Sequence, residues 1–240
     1  EGEDPYEEAN RVLEKWREEQ ILCLDMEPGL YLYEEEFLSK VDQGETKKVR
    51  GLVCRVRLED FKNGVVLPHE ETLSKAKEDR FRLFSATRCN FSSIYSLYQD
   101  EGRVTAQRLE NLSQSCPPRY EFSDGLVTHR LWVINDPVAI EALRQDFAGR
   151  KLYIADGHHR YETGLRYRDT IREKGEYLPG SEYILMTLTD MADPGLVVFP
   201  THRLVRALEG FDSEQLLTDC QEHFDLPVSY THLRAHETCA

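Results

Sequence analysis

An apolar strand, a polar turn and a charged helix follow one another between residues 151 and 175. Residues 151–155 are mainly apolar, residues 156–160 are polar, and residues 161–174 have a helical pattern that ends at Gly175. Because a strand and the helix that follows it bury their apolar sides against other elements, the passage restricts the chain to folds that combine a sheet with helices.

The remaining sequence shows helix and strand patterns in no regular order. Helical spacing and capping residues predict helices over residues 5–20, 72–87, 136–149 and 213–224. Apolar residues in alternating or continuous runs predict strands over residues 30–37, 49–58, 126–134, 183–188 and 196–199, with a hairpin turn at 42–45. Since these elements do not repeat as strand-helix-strand units, the sequence predicts an α+β fold with a mixed sheet flanked by helices.

Composition and charge exclude several classes of protein. With 240 residues and 40% hydrophobic residues, the chain is long and apolar enough to bury a globular core. Its net charge of −14 opposes binding to nucleic-acid phosphates, so nucleic acid is an unfavourable partner. The sequence has neither an apolar run of the ~20 residues that span a bilayer nor a signal peptide, which predicts a cytoplasmic protein with no membrane partner.

The six cysteines lie far apart, and no two of them form a CxxC pair. This spacing excludes a zinc ribbon and a thioredoxin-type motif. Because free cysteine is among the most buried residue types, we expect reduced and mostly buried thiols.

The polar turn concentrates groups that bind anions. Asp156, Gly157, His158, His159 and Arg160 come directly before a predicted helix, whose first N–H groups and dipole attract negative charge. Gly157 allows close approach of a phosphate to the backbone, and Arg160 offers two parallel N–H donors. Two other interpretations stay open from the residues alone. One is a capped helix with exposed histidines, and the other is a metal site completed by ligands elsewhere in the chain.

Two further clusters are rich in polar groups. The first combines charges with imidazole, hydroxyl and amide groups, and it contains His69, Glu70, Thr72, Ser74, Lys75, Asp79, Arg80, Arg82, Arg88 and Asn90. It fits either a polar pocket or an exposed helix crossed by ion pairs. The second cluster, His202 and Arg203, follows a predicted strand, and strand ends are favoured positions for functional sites.

The same segments resemble a known family. Residues 154–163, with the sequence IADGHHRYET, resemble the signature of the domain of unknown function 1015 (DUF1015) family. The family has other characteristic sequence blocks. Similar to these are residues 66–70, 75, 78–80 and 87–91 of this chain, together with residues 193–196 and 200–203. The resemblance covers residues 4–228 and implies a fragment that lacks the N-terminal and C-terminal parts of the family. Residues 229–240 resemble translated adapter sequence, and we treat them as a non-native tail.

The turn is also similar to the phosphate-binding loop of the ParB/sulfiredoxin fold. Free-serine kinases of that superfamily use a related Asp-Gly-His-X-Arg loop to transfer a phosphoryl group from a nucleotide to serine. The similarity implies a ParB/sulfiredoxin-like element around the strand, turn and helix. It also implies that Asp156 contacts a metal ion or a hydroxyl, and that phosphates bind Gly157, His158, His159 and Arg160. For the catalytic glutamate of those kinases, Glu70 and Glu162 are the candidates.

The leading prediction is therefore a phosphotransferase that binds ATP or ADP with Mg²⁺ and a small hydroxy or phosphorylated metabolite, such as serine or phosphoserine. Phosphoryl transfer needs positioning and charge neutralisation more than covalent chemistry. Beside Asp156, Glu70 and Asp79 are candidates for the carboxylate that orients the attacking hydroxyl. The alternatives are a phosphate-ester hydrolase and a noncatalytic nucleotide-sensing module of the ParB type.

Three groups of residues carry this prediction. The predicted catalytic residues are Asp156, His159 and Glu70, and Asp156 is also the candidate metal ligand. The predicted phosphate and nucleotide ligands are Gly157, His158, Arg160, Lys75, Arg80, Arg88, His202 and Arg203. The predicted substrate ligands are His69, Thr72, Asn90 and Glu162.

Overall fold

The computed structural model describes residues 4–39, 44–70, 74–198, 206 and 209–223, without the side chains of residues 74–76. The chain divides into two units, Glu1–Val197 and Val198–Ala240. The described part of the first unit holds a mixed sheet and five α-helices, and that of the second holds one α-helix.

The sheet has eight strands. They are β1 (Leu30–Leu38), β2 (Thr46–Arg57), β3 (Val66–Leu67), β4 (Ile94–Tyr98), β5 (Tyr120–Ser123), β6 (Val127–Ile134), β7 (Leu152–Asp156) and β8 (Tyr183–Asp190). Their order across the sheet is β3-β7-β4-β8-β2-β1-β6-β5. The pairs β3/β7 and β4/β8 are parallel, whereas the other neighbours are antiparallel. The predicted α+β fold with a mixed sheet is thus confirmed.

Five α-helices accompany the sheet: α1 (Pro5–Glu18), α2 (Ser74–Thr87), α3 (Val104–Ser115), α4 (Pro137–Asp146) and α5 (His158–Glu173). Helix α5 packs against β4 and β8, α2 packs against α5, and α1 packs against α2. In the second unit, α6 spans Ser213–Gln221. Short 3-10 helices span Phe61–Asn63, Glu101–Arg103 and Pro179–Glu182. None of the described helices is long and apolar enough to cross a membrane.

Alternating apolar residues explain how the sheet buries its core. Along β2, Leu52 is buried while Cys54 and Val56 pack against the core, as does the buried Leu58 just beyond the strand. These four residues share one side of the sheet because successive side chains of a strand point to opposite faces. The strand predicted over residues 49–58 is thus confirmed in its main part.

The capping residues also act as the sequence predicts. Asp4 and Asp136 precede the prolines that open α1 and α4, and each carboxylate accepts a hydrogen bond from a backbone N–H of the first helical turn.

Several details differ from the sequence-based predictions. Helix α5 begins at His158 instead of residue 161, because Gly157 has a φ of 103° and turns the chain from strand to helix within one residue. Residues 196–198 form no strand where one is predicted. Strands β3, β4 and β5 and helix α3 are not predicted from the sequence. The thiols are less buried than expected, since Cys23 and Cys116 are exposed and the other three described cysteines are partly exposed.

The loop after β8 packs closely on β2 through Gly195. The Gly195 N–H donates to Oδ1 of Asp193 at 2.7 Å, which curls the loop back on itself. A Cβ atom on Gly195 would lie 1.9 Å from the backbone oxygen of Lys48, well inside van der Waals contact. Only glycine therefore fits where this loop meets β2.

Substitution Gly195→Ala is expected to lower the free energy of unfolding by about 2 kcal/mol, because the added methyl group forces the loop away from β2. Urea denaturation followed by circular dichroism measures the loss. Gly180→Ala is the matched control, since a Cβ atom there meets nothing within 4 Å. Equal stability of the two variants would contradict the close contact at Gly195.

Candidate functional site

Three segments of the chain converge at the end of β7. Strand β3 runs parallel to β7, so the residues that follow it, His69 and Glu70, lie beside the end of β7 at Asp156. Strand β4 runs antiparallel to β7, and Tyr95 pairs with Asp156. The residues just before β4 therefore lie at the same end of the sheet. In this way the sheet brings part of the first polar cluster next to the Asp156 turn.

The Arg160 guanidinium lies folded over Gly157, the residue directly before its own helix. A Cβ atom on Gly157 would lie 3.0 Å from Nη2 of Arg160, so the glycine leaves the space that the guanidinium occupies. Nη2 contacts the carboxylate of Asp156, and Nη1 donates to Oγ of Ser92 at 2.8 Å and to the backbone oxygen of Ser93. These contacts fix a cation at the start of α5.

The start of α5 supplies further positive charge. Bonding within the helix begins with the Tyr161 N–H, which donates to the Gly157 oxygen at 3.0 Å. The N–H groups of the three preceding residues, 158–160, have no partner within the helix, as at every helix start. Together with the dipole of this 16-residue helix, they attract negative charge.

The ring of His158 joins the helix to the segment after β3. It is 2% exposed and contacts the His69 ring edge to face, with 4.4 Å between the ring centroids. The His69 backbone N–H donates to Nε2 of His158 at 3.2 Å, and Nδ1 of His158 lies 3.1 Å from Oε1 of Glu70. His158 therefore holds residues 69 and 70 against the start of α5.

His69, Glu70 and His158 place potential metal-ligand atoms within 4.8 Å of one another. The hydrogen bonds among them argue against a metal ion. Because Nε2 of His158 accepts a hydrogen bond, the neutral ring carries its proton on Nδ1 and donates it to Glu70, which leaves no lone pair for a metal. We interpret the three residues as a hydrogen-bonded clamp.

Burial lowers the pKa of His158 below its ordinary value of 6.5, and the neighbouring His69 lowers it further. The carboxylates of Glu70, Asp156 and Glu162 act in the opposite direction, but burial is the larger effect. The ring is therefore neutral at physiological pH, as the clamp requires.

His159 differs from His158 in its bonding. Its Nε2 is buried and has no hydrogen-bond partner among the described residues. Its backbone oxygen accepts a hydrogen bond from the Thr163 hydroxyl at 2.7 Å. Threonine hydroxyls in helices commonly bond the backbone oxygen four residues earlier in this way. A buried imidazole nitrogen without a partner is costly, so His159 is a group that a ligand can satisfy.

A cleft of about 150 Å³ adjoins Arg160. Its polar lining comes from α2, from the segment between α2 and β4, and from the start of α5, and it includes Arg80, Asn90, Ser92 and Arg160. Its apolar lining includes Phe91 and Ile184. The cleft thus joins three residues predicted as ligands, Arg80, Asn90 and Arg160, in one concave surface.

Other predicted residues lie away from this cleft. Asp79 accepts a hydrogen bond from the Tyr6 hydroxyl at 2.8 Å, and Arg82 bonds Asp4 at 2.8 Å, so both face α1. Glu162 forms an ion pair with Lys77. Arg88 directly follows α2 and has the left-handed backbone conformation, with a φ of 52°. Thr72, His202, Arg203 and the tail at residues 229–240 lie outside the described residues, as does the side chain of Lys75.

Ser92 and Ser93 are contacts of Arg160 that the sequence analysis misses. They directly precede β4, in which Ile94, Ser96 and Tyr98 are buried in alternation. This alternation is the signal that could have predicted β4 and, with it, two hydroxyl groups just before the strand. The serine between two apolar residues masks that signal.

Comparison with known proteins assigns the chain to a family. The family described as "Protein of unknown function (DUF1015)" matches residues 1–239, nearly the full length. The chain belongs to the DUF1015 family. No curated protein and no solved structure matches this DUF1015 protein. The assignment confirms the family resemblance carried by the Asp156 turn and its companion blocks.

The stability of this DUF1015 protein is expected to fall as the pH drops below 6.5. The folded state binds fewer protons than the unfolded state there, because the folded pKa of His158 is lowered from 6.5. The contribution is complete above pH 6.5 and is lost as the pH falls through the folded pKa, with a slope of up to about 1.4 kcal/mol per pH unit.

Urea denaturation at a series of pH values measures this slope for the wild type and for His158→Gln, in which it should be smaller. The control is His223→Gln, because His223 is exposed and belongs to the second unit. If His158→Gln and the control kept the same slope as the wild type, the role given to His158 would be wrong.

Proposed function

We propose that this DUF1015 protein is a phosphotransferase that binds a nucleotide and a small hydroxy or phosphorylated metabolite at the start of α5. The observation that carries the proposal is the Arg160 guanidinium, fixed over Gly157 at the positive end of a 16-residue helix and at the edge of a cleft. A guanidinium and free helix N–H groups at one point are the donors that a phosphate needs.

The ion pair between Asp156 and Arg160 suits this role. The Asp156 side chain is 76% exposed, so water already weakens its attraction to the guanidinium. A bound phosphate would accept the hydrogen bond that the Arg160 guanidinium now donates to Asp156. The carboxylate would then be free to orient the attacking hydroxyl of the second substrate.

The reaction needs few further groups. The oxygen of the acceptor hydroxyl forms a bond to the terminal phosphorus, the bond from that phosphorus to the bridging oxygen breaks, and the nucleoside diphosphate leaves. The hydroxyl proton passes to Asp156 or to His159, whose Nε2 has no partner among the described residues. Arg160 and the α5 N–H groups neutralise the charge on the phosphoryl oxygens.

Mg²⁺ fits the carboxylate of Asp156. Its side chain is 76% exposed, and a magnesium site commonly combines one or two carboxylates with phosphate oxygens and water. Asp156 would hold the ion, whose positive charge would help to neutralise the nucleotide phosphates. Asp156 is the residue nearest the proposed phosphate position, because it contacts Arg160 directly.

The size of the cleft favours the small substrate as its occupant. At about 150 Å³ it is below the roughly 300 Å³ at which pockets for drug-sized ligands begin, so it suits a metabolite of the size of serine rather than a nucleoside. Arg80 and Asn90 offer it a guanidinium and an amide, which suit a carboxylate group on that metabolite. A ParB/sulfiredoxin-like arrangement of the turn belongs to this proposal as well.

Variants His159→Ala and Arg160→Ala test the proposal. Each is expected to reduce nucleotide affinity, serine-dependent phosphoryl transfer or both by at least about tenfold. A loss of this size is typical when one charge-assisted hydrogen bond or one catalytic group is removed. Isothermal titration with ATP and Mg²⁺ and a radiolabelled transfer assay with serine or phosphoserine provide the measurements. Arg144→Ala is the control, because Arg144 is an exposed arginine on α4 that pairs with Glu141.

The possible outcomes separate the candidate functions. Unchanged binding and turnover in both variants would exclude this site. Release of inorganic phosphate without an acceptor alcohol would indicate a phosphate-ester hydrolase. Nucleotide binding that depends on Arg160, with no turnover for any acceptor, would indicate a noncatalytic nucleotide sensor.

A further inference from the structure

A second polar region lies at the other end of β4. Tyr98 ends β4 and pairs with Asp190, which ends β8. A cavity of about 20 Å³ lies there, and its lining includes Arg50, Tyr98, Arg103, Asp190 and Asp193. It is separated from the α5 site by the length of β4 and does not depend on the proposed function.

Asp190 is the unusual residue of this cavity. It is 3% exposed, and its Oδ1 accepts a hydrogen bond from the Ala192 N–H at 3.1 Å. Its Oδ2 is buried and has no hydrogen-bond partner in the described parts of the chain. A buried carboxylate oxygen without a partner is strongly unfavourable, so the fold retains it at a cost in stability unless something binds there.

A second carboxylate adds negative charge to the same cavity. Asp193 accepts hydrogen bonds from the Gly195 N–H at 2.7 Å and from the Arg50 N–H at 3.4 Å. Burial raises the pKa of Asp193, and the charge of Asp190 raises it further. Burial raises the pKa of Tyr98, and the charges of Asp100, Asp190 and Asp193 raise it further, whereas Arg150 acts in the opposite direction.

Two arginines of this region pair with carboxylates other than Asp190. Arg50 directs its Nε to Glu34 at 2.7 Å, and Arg150 pairs with Asp100 at 2.9 Å. Arg103 lines the cavity from the exposed start of α3, yet it forms no ion pair with any residue that the structure describes. Within the described ranges, no cation pairs with Asp190, so a compensating charge requires either a bound cation or a movement of Arg103.

We propose that this cavity binds a small monovalent cation stripped of its water, either an alkali ion or the primary ammonium group of an amine. A space of about 20 Å³ exceeds the roughly 10–15 Å³ that one water-sized group requires. It is too small for a divalent ion that keeps several of its waters, as Mg²⁺ does. Asp190 Oδ2 and the Asp193 carboxylate supply oxygen ligands, which suit both kinds of cation.

Charge favours a cation over a water molecule in this position. A water molecule can donate a hydrogen bond to Oδ2 of Asp190, but it leaves the carboxylate charge uncompensated in a site of low dielectric constant. A monovalent cation satisfies the oxygen and cancels the charge at once. A specific salt effect on stability is therefore the signature that distinguishes the two occupants.

Thermal unfolding of the full chain tests the proposal. The chlorides of sodium, potassium, ammonium and methylammonium are titrated against choline chloride at constant ionic strength, because choline is too large for the cavity. The wild type is expected to show a saturable rise in melting temperature with at least one of the first four cations. A response to alkali ions alone indicates a metal ion, and a response to methylammonium indicates an amine.

Variants connect the response to the cavity. Asp190→Asn keeps the shape of the side chain but removes its charge, so the cation response should disappear while stability in choline rises. Asp193→Asn should shift the midpoint of the titration to at least about tenfold higher cation concentration, which corresponds to a loss of about 1.4 kcal/mol. Asp219→Asn is the control, because Asp219 is exposed on α6, and it should respond as the wild type does.

Two results would overturn the proposal. If the wild type melts at the same temperature in all five salts, it binds no cation in the cavity. If Arg103→Ala then lowers the melting temperature and gains an ion-specific response that the wild type lacks, Arg103 itself is the counter-ion of Asp190; if it gains none, the cavity holds water only. Should Asp190→Asn fail to fold, the wild-type titration together with Asp193→Asn and Arg103→Ala still decides between these cases.

Discussion

Strand β4 pairs in parallel with β8 and in antiparallel fashion with β7, and this pairing decides where the polar groups of the first unit lie. Its start lies beside the end of β7, so Ser92 and Ser93 reach Arg160. Its end lies beside the end of β8, so Tyr98 meets Asp190. Because a strand of five residues has apolar packing along its length, polar groups concentrate beyond its two ends.

Two buried acidic residues of the first unit are neutralised by arginines. Glu34 is 3% exposed and binds Arg50 and Arg130, and Asp100 binds Arg150. Each of these carboxylates has a guanidinium partner, as burial of charge requires. Asp190 is buried to the same degree but has no guanidinium partner among the described residues. It therefore departs from the pairing of buried carboxylates with arginine that Glu34 and Asp100 follow.

The sequence predicts the elements with strong local signals and misses those whose signals are weak. Proline and aspartate caps predict α1 and α4, and apolar alternation predicts β1, β2 and β6. Strand β4 is missed because Ser96 interrupts its apolar run, and β5 because it is exposed. For the site, Gly157 and Arg160 are predicted from their place before a helix. The clamp of His158 on residues 69 and 70 depends on the parallel pairing of β3 with β7. It leaves no local trace in the sequence, because His69 and His158 are 89 positions apart.

The bond between Asp156 and Arg160 has a consequence for selectivity. Asp156 is tethered four residues from Arg160, so its carboxylate competes with every incoming anion at a high effective concentration. Chloride offers one charge and gains little from displacing it. A polyphosphate carries several charged oxygens and can engage the guanidinium and the helix N–H groups together. Under the proposed function, the acidic neighbour of Arg160 would thus favour a polyphosphate over an anion of single charge such as chloride.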